Sequence, residues 1–434
     1  MPFGAPRAPG VYSGLECRVQ DYHCALVSCG AALEEGGASA VCSGCHSLAY
    51  CDRVCLEAHW EAHMGNCWNT VCRRVMAGDV HKDDEGGEYV LRYKLRVCRE
   101  MYGDTAASTI NCIGCLGGFL QHQGRLAEAR ELQGESLAAR RASLGPKHAL
   151  TLSSMSELAQ ILSAQGNFME AVPLMREALS GARASLGPKH DRTLSYASNL
   201  ALMLKSLGQV GEAELLFREA LRERLAAVGP QHLETLFVMN NLGVLLLSEG
   251  KLGEAGELFG IVLEARLATL GPLHPDTLSS KLNVATLFKH QGKLSEAEPL
   301  LRETLGDFHT VLGAQHPSTL SCTNVLAMLL WDQDKPFEAI PLCREVLAAQ
   351  RSALGSQHLD TFVSMGNLGL LLEELGKLRE AEALLSETLT GYLRVLGRDN
   401  ALTKAAFTAL VRVLTAQGKA RDVRAVKAQY GGGK

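Results

Sequence analysis

A nine-residue stretch, LGPLHPDTL at residues 270–278, recurs along this chain at a constant interval of 42 residues. Related stretches begin at Leu144, Leu186, Val228, Leu312 and Leu354. More divergent copies begin at Tyr102 and at Leu396. Self-similarity at a fixed period of this length indicates a solenoid of stacked supersecondary units. The interval therefore predicts seven units of 42 residues over 102–395, followed by a divergent capping repeat over 396–430.

Each unit carries two apolar patterns with helical spacing. In the unit that begins at Val228, the first pattern comprises Leu236, Met239, Leu242, Leu245 and Leu246. The second comprises Leu252, Ala255, Leu258, Phe259 and Val262. Residues that recur every three or four positions form one apolar face of a helix. Each unit is therefore predicted to fold as a pair of helices.

Small residues mark the turn and the crossing within each pair. A glycine separates the two patterns at Gly124, Gly166, Gly208, Gly250, Gly292, Gly376 and Gly418. Glycine suits this turn because a chain leaving a helix often enters the left-handed region; Asp334 takes the position in one unit. An alanine follows five residues later, at Ala129, Ala171, Ala213, Ala255, Ala297, Ala339 and Ala381. Helices approach closely only where the crossing side chain is small, so this alanine predicts the crossing point.

Four motifs follow one another in the same order in successive units. They are the LGPxHxxTL joint, an Asn-Leu-Ala or Asn-Leu-Gly step such as 199–201, a QGK-like turn and a Glu-Ala pair. With these motifs the chain resembles the tetratricopeptide repeat (TPR) family, in the long form found in kinesin light chains. The resemblance implies a mainly α fold, a TPR-type α-α superhelical solenoid whose first helices line a concave peptide groove. It does not imply a motor subunit, because the heptad coiled coil of kinesin light chains is not seen in the sequence.

The remaining segments differ from the repeats in composition. Residues 1–16 are predicted to be a disordered lead, and residues 17–72 hold a cysteine cluster. Residues 73–101 are predicted to be a polar, acidic linker and a lone capping helix, and residues 431–434 a loose tail. In the lone helix, apolar residues recur at helical spacing at Val90, Leu91, Leu95, Cys98 and Met101.

The amino-acid composition bears on which classes of partner the protein can bind and on its location. The chain is 47% hydrophobic with a net charge of −4, which is ordinary for a soluble protein and gives no sign of nucleic acid or an anionic membrane. No apolar run approaches the ~18 residues of a membrane span. The Pro/Gly-rich N-terminus lacks the apolar segment of a secretory signal. We therefore expect a cytoplasmic or nuclear location.

The cysteines are concentrated near the N-terminus, where nine of fourteen lie between Cys17 and Cys72. Without export these thiols stay reduced, so short spacings indicate metal binding. The pattern C-x2-C-x5-C-x3-C-x7-H-x3-C comprises Cys42, Cys45, Cys51, Cys55, His63 and Cys67. Zinc takes four such ligands in a tetrahedron. Six ligands cannot complete two sites, and the nearest additional pair is Cys24 and Cys29.

This pattern, with Tyr50 before Cys51 and Trp60 three residues before His63, resembles the MYND zinc finger. The resemblance implies two zinc ions held by interleaved pairs. One ion would take Cys24, Cys29, Cys51 and Cys55, and the other Cys42, Cys45, His63 and Cys67. It also implies a proline-rich peptide as a partner of Trp60. The first pair here is C-x4-C where the family has C-x2-C, so Cys17 is an alternative ligand, and His59 is an alternative to His63.

An asparagine recurs at a first-helix position that faces the groove in the TPR family, at Asn199, Asn241, Asn283 and Asn367. An amide there can both donate to and accept from a peptide backbone. It can equally bond to the neighbouring repeat, and Glu157 and Val325 take the position in other units. Six residues further on, Lys205, Lys289 and Trp331 either add a basic, aromatic patch to the groove or are ordinary surface residues.

A histidine stands in each well-matched joint, at His148, His190, His232, His274, His316 and His358. Successive histidines lie a full repeat apart, which is too far for two of them to share a metal ion. We therefore expect a structural role at the start of each first helix.

The predicted function is a non-catalytic protein–protein interaction scaffold or adaptor. Its partners are expected to be a protein or peptide in the groove, with no nucleic acid and no membrane. One alternative is a lysine methyltransferase that combines a MYND finger with TPR-like helices, but its SET domain carries an Asn-His-Ser-Cys motif that does not occur here. Another is a nucleic-acid-binding finger; Arg53 is the sole Lys or Arg between Cys42 and Cys67, too few for phosphate contacts.

Overall fold

The computed structural model describes residues 22–23, 32–33, 40–41, 49–50 and 85–431. Four short strands form two antiparallel hairpins, β1 (Tyr22–His23) with β2 (Ala32–Leu33) and β3 (Ala40–Val41) with β4 (Ala49–Tyr50). The rest of the described chain is helical. The first helices of the units are α2 (Ala107–His122), α4 (Ala149–Ala164), α6 (Asp191–Ser206), α8 (Leu233–Ser248), α10 (Pro275–His290), α12 (Pro317–Asp332), α14 (Leu359–Glu374) and α16 (Ala401–Ala416).

The second helices alternate with them along the chain. They are α3 (Leu126–Leu144), α5 (Phe168–Ser185), α7 (Val210–Val228), α9 (Leu252–Leu270), α11 (Leu294–Leu312), α13 (Pro336–Ala353), α15 (Leu378–Val395) and α17 (Ala420–Gly431). The lone helix α1 (Glu85–Tyr102) precedes the first pair. The chain divides into two compact units, residues 1–161 and 162–434. None of the helices in the described ranges is long and apolar enough to cross a membrane.

The turn within each pair follows the predicted left-handed geometry. Gly250, between α8 and α9, has a φ of +74°. Asp334 has a φ of +59° at the same position of its own pair, and within the described residues it is the one non-glycine with a positive φ. Aspartate tolerates this region better than most side chains because its short polar group can bond locally. The turn therefore persists in the unit that lacks the glycine.

Histidine side chains cap the first helices, as expected. The Nδ1 atom of His274 accepts a hydrogen bond from the backbone N–H of Asp276 at 3.1 Å, and Pro275 occupies the first turn. The same bond forms at His148, His190, His232, His316 and His358. It satisfies one of the N–H groups that a helix start leaves unpaired, and proline is tolerated beside it. The predicted structural role of the joint histidines is confirmed.

The core of each pair lies where the predicted small residue meets the partner helix. Ala255 is fully buried, and so are the other six alanines at this position. In the first unit, Leu91 and Leu95 of α1 share one buried cluster with Ile113 and Leu116 of α2. At the C-terminal end, Tyr430 of α17 stacks on Phe407 at 4.1 Å and donates a hydrogen bond to the carbonyl oxygen of Arg398 at 2.9 Å.

The outer surface of the second helices carries ion pairs between neighbouring pairs. In the second unit, Arg218 contacts Glu254 at 2.8 Å and Arg176 contacts Glu212 at 2.7 Å. Each pair joins residues 36 positions apart on consecutive second helices. Such exposed pairs contribute little stability. Each of these links between consecutive second helices is made by two long side chains.

Candidate functional site

Short amide side chains join neighbouring first helices of the second unit at two places. The Nδ2 atom of Asn283 on α10 donates to Oδ1 of Asn240 on α8 at 2.8 Å. Two repeats later, Asn367 on α14 donates to Oδ1 of Asn324 on α12 at 3.4 Å. Backbone contacts recur between consecutive first helices from α6 to α16, whereas consecutive second helices make few or none, so the first helices lie closer together than the second helices. The array therefore curves towards its first helices, and their shared face is the concave side.

The predicted asparagines have different surroundings. Asn283 and Asn367 bond to the preceding repeat, which is one of the two roles left open by the sequence. Asn241 donates to the carbonyl oxygen of Phe237 within its own helix at 2.9 Å, and its side-chain oxygen accepts no hydrogen bond from the described chain. Asn199 is half-buried and has no side-chain partner in the part of the chain that the structure describes. The four amides thus form a polar row. Within it, the side chain of Asn199 is the one most available for hydrogen bonds to a partner.

The predicted basic and aromatic residues lie on the same side of these helices. Lys289 pairs with Asp332 at 2.7 Å, and the indole N–H of Trp331 donates to the carboxylate of Glu374. Both links join residues 43 positions apart, like the asparagine pairs. These acids neutralise the patch that the sequence predicted, so Lys289 and Trp331 are held in place as parts of a polar rim.

Lys205 differs from these two. Ser248 stands at the position of the next repeat where Asp332 pairs with Lys289, and a hydroxyl group brings no negative charge. No acidic partner of Lys205 occurs among the described residues, its side chain is half-buried, and this burial lowers the pKa of its ammonium group. Lys205 is therefore a cation of the concave face whose charge the fold does not compensate.

An apolar stripe that was not predicted lies between the amide row and the polar rim. It consists of Leu202, Val244, Met328 and Leu370, with Thr286 at the same position of α10, and each of these residues of α6 to α14 is partly exposed. Each lies three residues after the asparagine position and three before the lysine position, so each adjoins both positions on the helix surface. The sequence carried this signal as a 42-residue recurrence, but a partly exposed stripe cannot be separated from core positions by periodicity alone.

The predicted zinc ligands and Trp60 lie outside the described residues. In the sequence, two of the predicted ligand pairs fall between the strands of the two hairpins. Cys24 and Cys29 lie between β1 and β2, and Cys42 and Cys45 lie between β3 and β4. Over the described ranges, no group of three or more metal-binding side chains comes together.

The repeat segments match a family model described as the tetratricopeptide repeat, over residues 105–184, 153–226, 234–306 and 315–394. Together these matches cover more than half of the chain. The chain belongs to the tetratricopeptide repeat family. Residues 24–67 of this TPR protein match the MYND finger model, whose limits coincide with the first and last predicted ligands. The two resemblances and the mainly α, TPR-type solenoid are confirmed.

Two solved structures with TM-scores above 0.5 agree with this assignment of the fold. A Rap protein complexed with Competence and Sporulation Factor is 12% identical with a TM-score of 0.53, over 83% of this chain and 99% of that one. The apo quorum sensor NprR from B. thuringiensis is 13% identical with a TM-score of 0.51, over 86% and 98%. A kinesin-light-chain-like repeat protein from Podosopora anserina is 27% identical with a TM-score of 0.39, over 48% and 97%. No curated protein matches the chain.

Proposed function

We propose that this TPR protein is a non-catalytic adaptor that binds an extended segment of a protein partner along the concave face of residues 162–434. Its TPR array and MYND finger together indicate a protein-interaction scaffold. The apolar stripe is the observation that carries the finer proposal. A partly exposed apolar row flanked by amides on one side and charges on the other offers both contact area and backbone hydrogen bonds.

The apolar stripe, the amides and the charged residues would each contact a different part of the partner. The stripe, represented by Met328 and Leu370, would remove apolar side chains of the partner from water. The free oxygen of Asn241 and the amide of Asn199 would bond to the partner's backbone. Lys205 would bind a negatively charged group of the partner. That charge would compensate the partly buried ammonium group, which has no acidic partner in the described chain. The Rap protein of similar fold is itself complexed with a factor, which supports a ligand-binding role for such an array.

The finger is proposed to be a second, smaller module held by two zinc ions. The MYND family binds zinc, and the eight residues named from the sequence supply two sets of four ligands. Trp60 is proposed as a contact for a proline-rich peptide. The adaptor role rests on the concave face of the array.

A random phage-displayed peptide library, panned against the full chain, tests the groove directly. Selected peptides should lose about tenfold or more in affinity for an Asn199→Ala, Asn241→Ala variant, since each unpaired amide in a water-poor interface costs ~1–3 kcal/mol. A Met328→Glu, Leu370→Glu variant should abolish binding. The matched control is Leu215→Glu, because Leu215 is 71% exposed on the second helix α7 and lies away from the groove.

Failure of the library to yield any peptide that binds the full chain would refute the groove as a peptide site. So would peptides that bind the stripe variant and the Leu215→Glu control equally well. Helical circular dichroism must stay unchanged in all variants, which separates lost contacts from lost fold.

A further inference from the structure

Two pairs of residues in the second unit touch although 194 positions separate them in the chain. The Nε2 atom of His358 lies 3.1 Å from the carbonyl oxygen of Ala164. The Nδ2 atom of Asn400 donates to the carbonyl oxygen of Ser206 at 3.2 Å. The two contacts are themselves 42 residues apart, so they are equivalent rungs of one seam. We call this seam, formed by His358 and Asn400 with Ala164 and Ser206, the latch.

The latch joins opposite edges of the array. His358 and Asn400 stand at the starts of α14 and α16, whereas Ala164 and Ser206 stand at the ends of α4 and α6. Neighbouring repeats place their helix starts along one edge and their helix ends along the other. Contact between the two edges means that the second unit has completed a superhelical turn and closed upon itself after more than four repeats.

Each latch side chain has two bonds to make. His358 accepts from the backbone N–H of Asp360 through Nδ1, and Asn400 accepts from that of Leu402 through Oδ1. Their remaining nitrogen atoms face the earlier turn. Since Nδ1 of His358 is the acceptor, Nε2 carries the proton and donates to Ala164. The accepting carbonyls lie in the last turns of their helices, where no intrahelical N–H is available to them. The latch thus satisfies groups that both helix ends leave unpaired.

Backbone packing at the seam is closer than at equivalent turns. A Cβ atom placed on Gly166 would lie 3.4 Å from a methyl group of Val395, and one on Gly208 would lie 3.4 Å from Nδ2 of Asn400. At the equivalent turn glycines Gly250 and Gly292 such an atom would meet nothing within 4 Å. Asn400 is 7% exposed, so the seam excludes most water from its second rung.

The seam nevertheless contains far fewer contacts than the apolar packing between neighbouring repeats. Each rung is a single hydrogen bond with one close contact, whereas each helix pair is held by a continuous core. Regions with few buried contacts open at lower free energy than the units they join. The seam can therefore part while every repeat stays folded.

We propose that the latch is a gate, and that its opening controls sideways entry of a partner into the concave face of the second unit. While the seam is closed, the face lies inside a completed turn and a partner can reach it only along the superhelix axis. When the seam opens, the face becomes accessible from the side. The gating part of this inference rests on the proposed function, whereas the closed seam does not.

Two substitutions open the latch without removing the helix caps. Asn400→Asp keeps a side-chain oxygen that caps α16, because aspartate is as good a cap as asparagine. Its second oxygen then faces the carbonyl oxygen of Ser206, and two acceptors repel each other. His358→Asp likewise keeps a cap but removes the donor to Ala164. The matched control is His190→Asp, because His190 also caps its helix through Nδ1 and belongs to the earlier turn.

The first measurement is the width of the seam in the full chain. Bio-orthogonal spin labels at Gln209 and Asp399, both exposed neighbours of the second rung, report the distance across it. The wild type and His190→Asp should give one short, narrow distance. The His358→Asp, Asn400→Asp double variant should give a longer, broader distribution at unchanged helical circular dichroism. A long distance in the wild type, or a double variant with the wild-type distribution, would overturn the latch.

The second measurement uses a peptide selected from the random library against the wild-type chain. A gate open for about a tenth of the time limits both entry and exit, so opening it should raise association and dissociation rates together by about tenfold. Unchanged rates in a double variant whose seam is shown to be open would overturn the gating role. If the library yields no binding peptide, the proposed function fails, and the label distances alone decide whether the seam exists.

Discussion

Phe362 and Gly391 form a size-matched pair that makes a sharp test of the packing. Phe362 on α14 is 1% exposed, and a Cβ atom on Gly391 of α15 would overlap its ring. Sister units carry the opposite combination, a leucine with an alanine, at Leu236 with Ala265 and at Leu320 with Ala349. The larger side chain on one helix is thus matched by the absence of one on the other.

The magnitude of Gly391→Ala follows from two opposing effects. Overpacking a buried contact costs ~1–3 kcal/mol. The ring of Phe362 also lies edge-on to Tyr392, with ring centres 6.2 Å apart, so it has little room to move and the upper part of that range applies. Alanine is a better helix former than glycine by about 1 kcal/mol, which offsets part of the cost. We expect Gly391→Ala to destabilise the second unit by about 2 kcal/mol.

The same substitution should change sign when the ring is removed. Phe362→Leu alone leaves a small cavity and costs about 1 kcal/mol or more. Adding Gly391→Ala to Phe362→Leu recreates the combination of the sister units, so the alanine should now stabilise by up to about 1 kcal/mol. The control is Gly260→Ala on α9, where a Cβ atom meets nothing within 4 Å and alanine should stabilise in either background.

Urea denaturation of the wild type and of these variants, with the midpoint and the slope both recorded, measures these effects. Contacting residues show coupling energies of about 0.5–3 kcal/mol in such cycles. If the effects of Phe362→Leu and Gly391→Ala simply add, the size-matched pair does not exist and the reasoning is refuted.

Two further perturbations follow from the finger and from a buried charge. Metal analysis of chelator-free protein should find about two zinc ions per chain, and fewer in a Cys45→Ser, Cys67→Ser variant. Removing the metal should leave most of the helical circular dichroism, because solenoid repeats depend mainly on their nearest neighbours. Protein without zinc, or a loss of helicity on chelation, would contradict this. The side chain of Arg224 is 3% exposed and contacts Asp191 at 2.9 Å and Glu234 at 3.1 Å. Removing both acids with Asp191→Asn, Glu234→Gln should lower the free energy of unfolding by about 3 kcal/mol, and by more than Arg224→Met does, because an uncompensated buried charge is worse than none. The reverse order of the urea midpoints would rule this out.

Much of the fold could be predicted because it depends on local chemistry. The turn at Gly250 and the cap at His274 are set by the conformational freedom of one residue and by a hydrogen bond to a backbone group two residues away. Both recur with the 42-residue interval, so each copy reinforces the others. The predicted zinc ligands belong to the same class of inference, and for them the match to the MYND model is the support.

The concave face was only partly predictable. The asparagine row was found from its recurrence, but the sequence could not decide whether Asn283 bonds to a partner or to the preceding repeat. That choice depends on the separation between neighbouring first helices, which brings Asn240 within 2.8 Å. The apolar stripe at Met328 and Leu370 was missed because partial exposure is a property of the curved array and not of one helix.

The amino-acid sequence by itself determined the repeat, the helix pairs, their turns and caps, and the families to which the two modules belong. Each of these depends on interactions within a few residues or on spacing along the chain. Tertiary structure alone decided which polar groups are paired, that Lys205 has no compensating acid in the described chain, and that His358 and Asn400 close the second unit. Those outcomes depend on the small rotation between repeats, which accumulates over many units before residues 194 positions apart can meet.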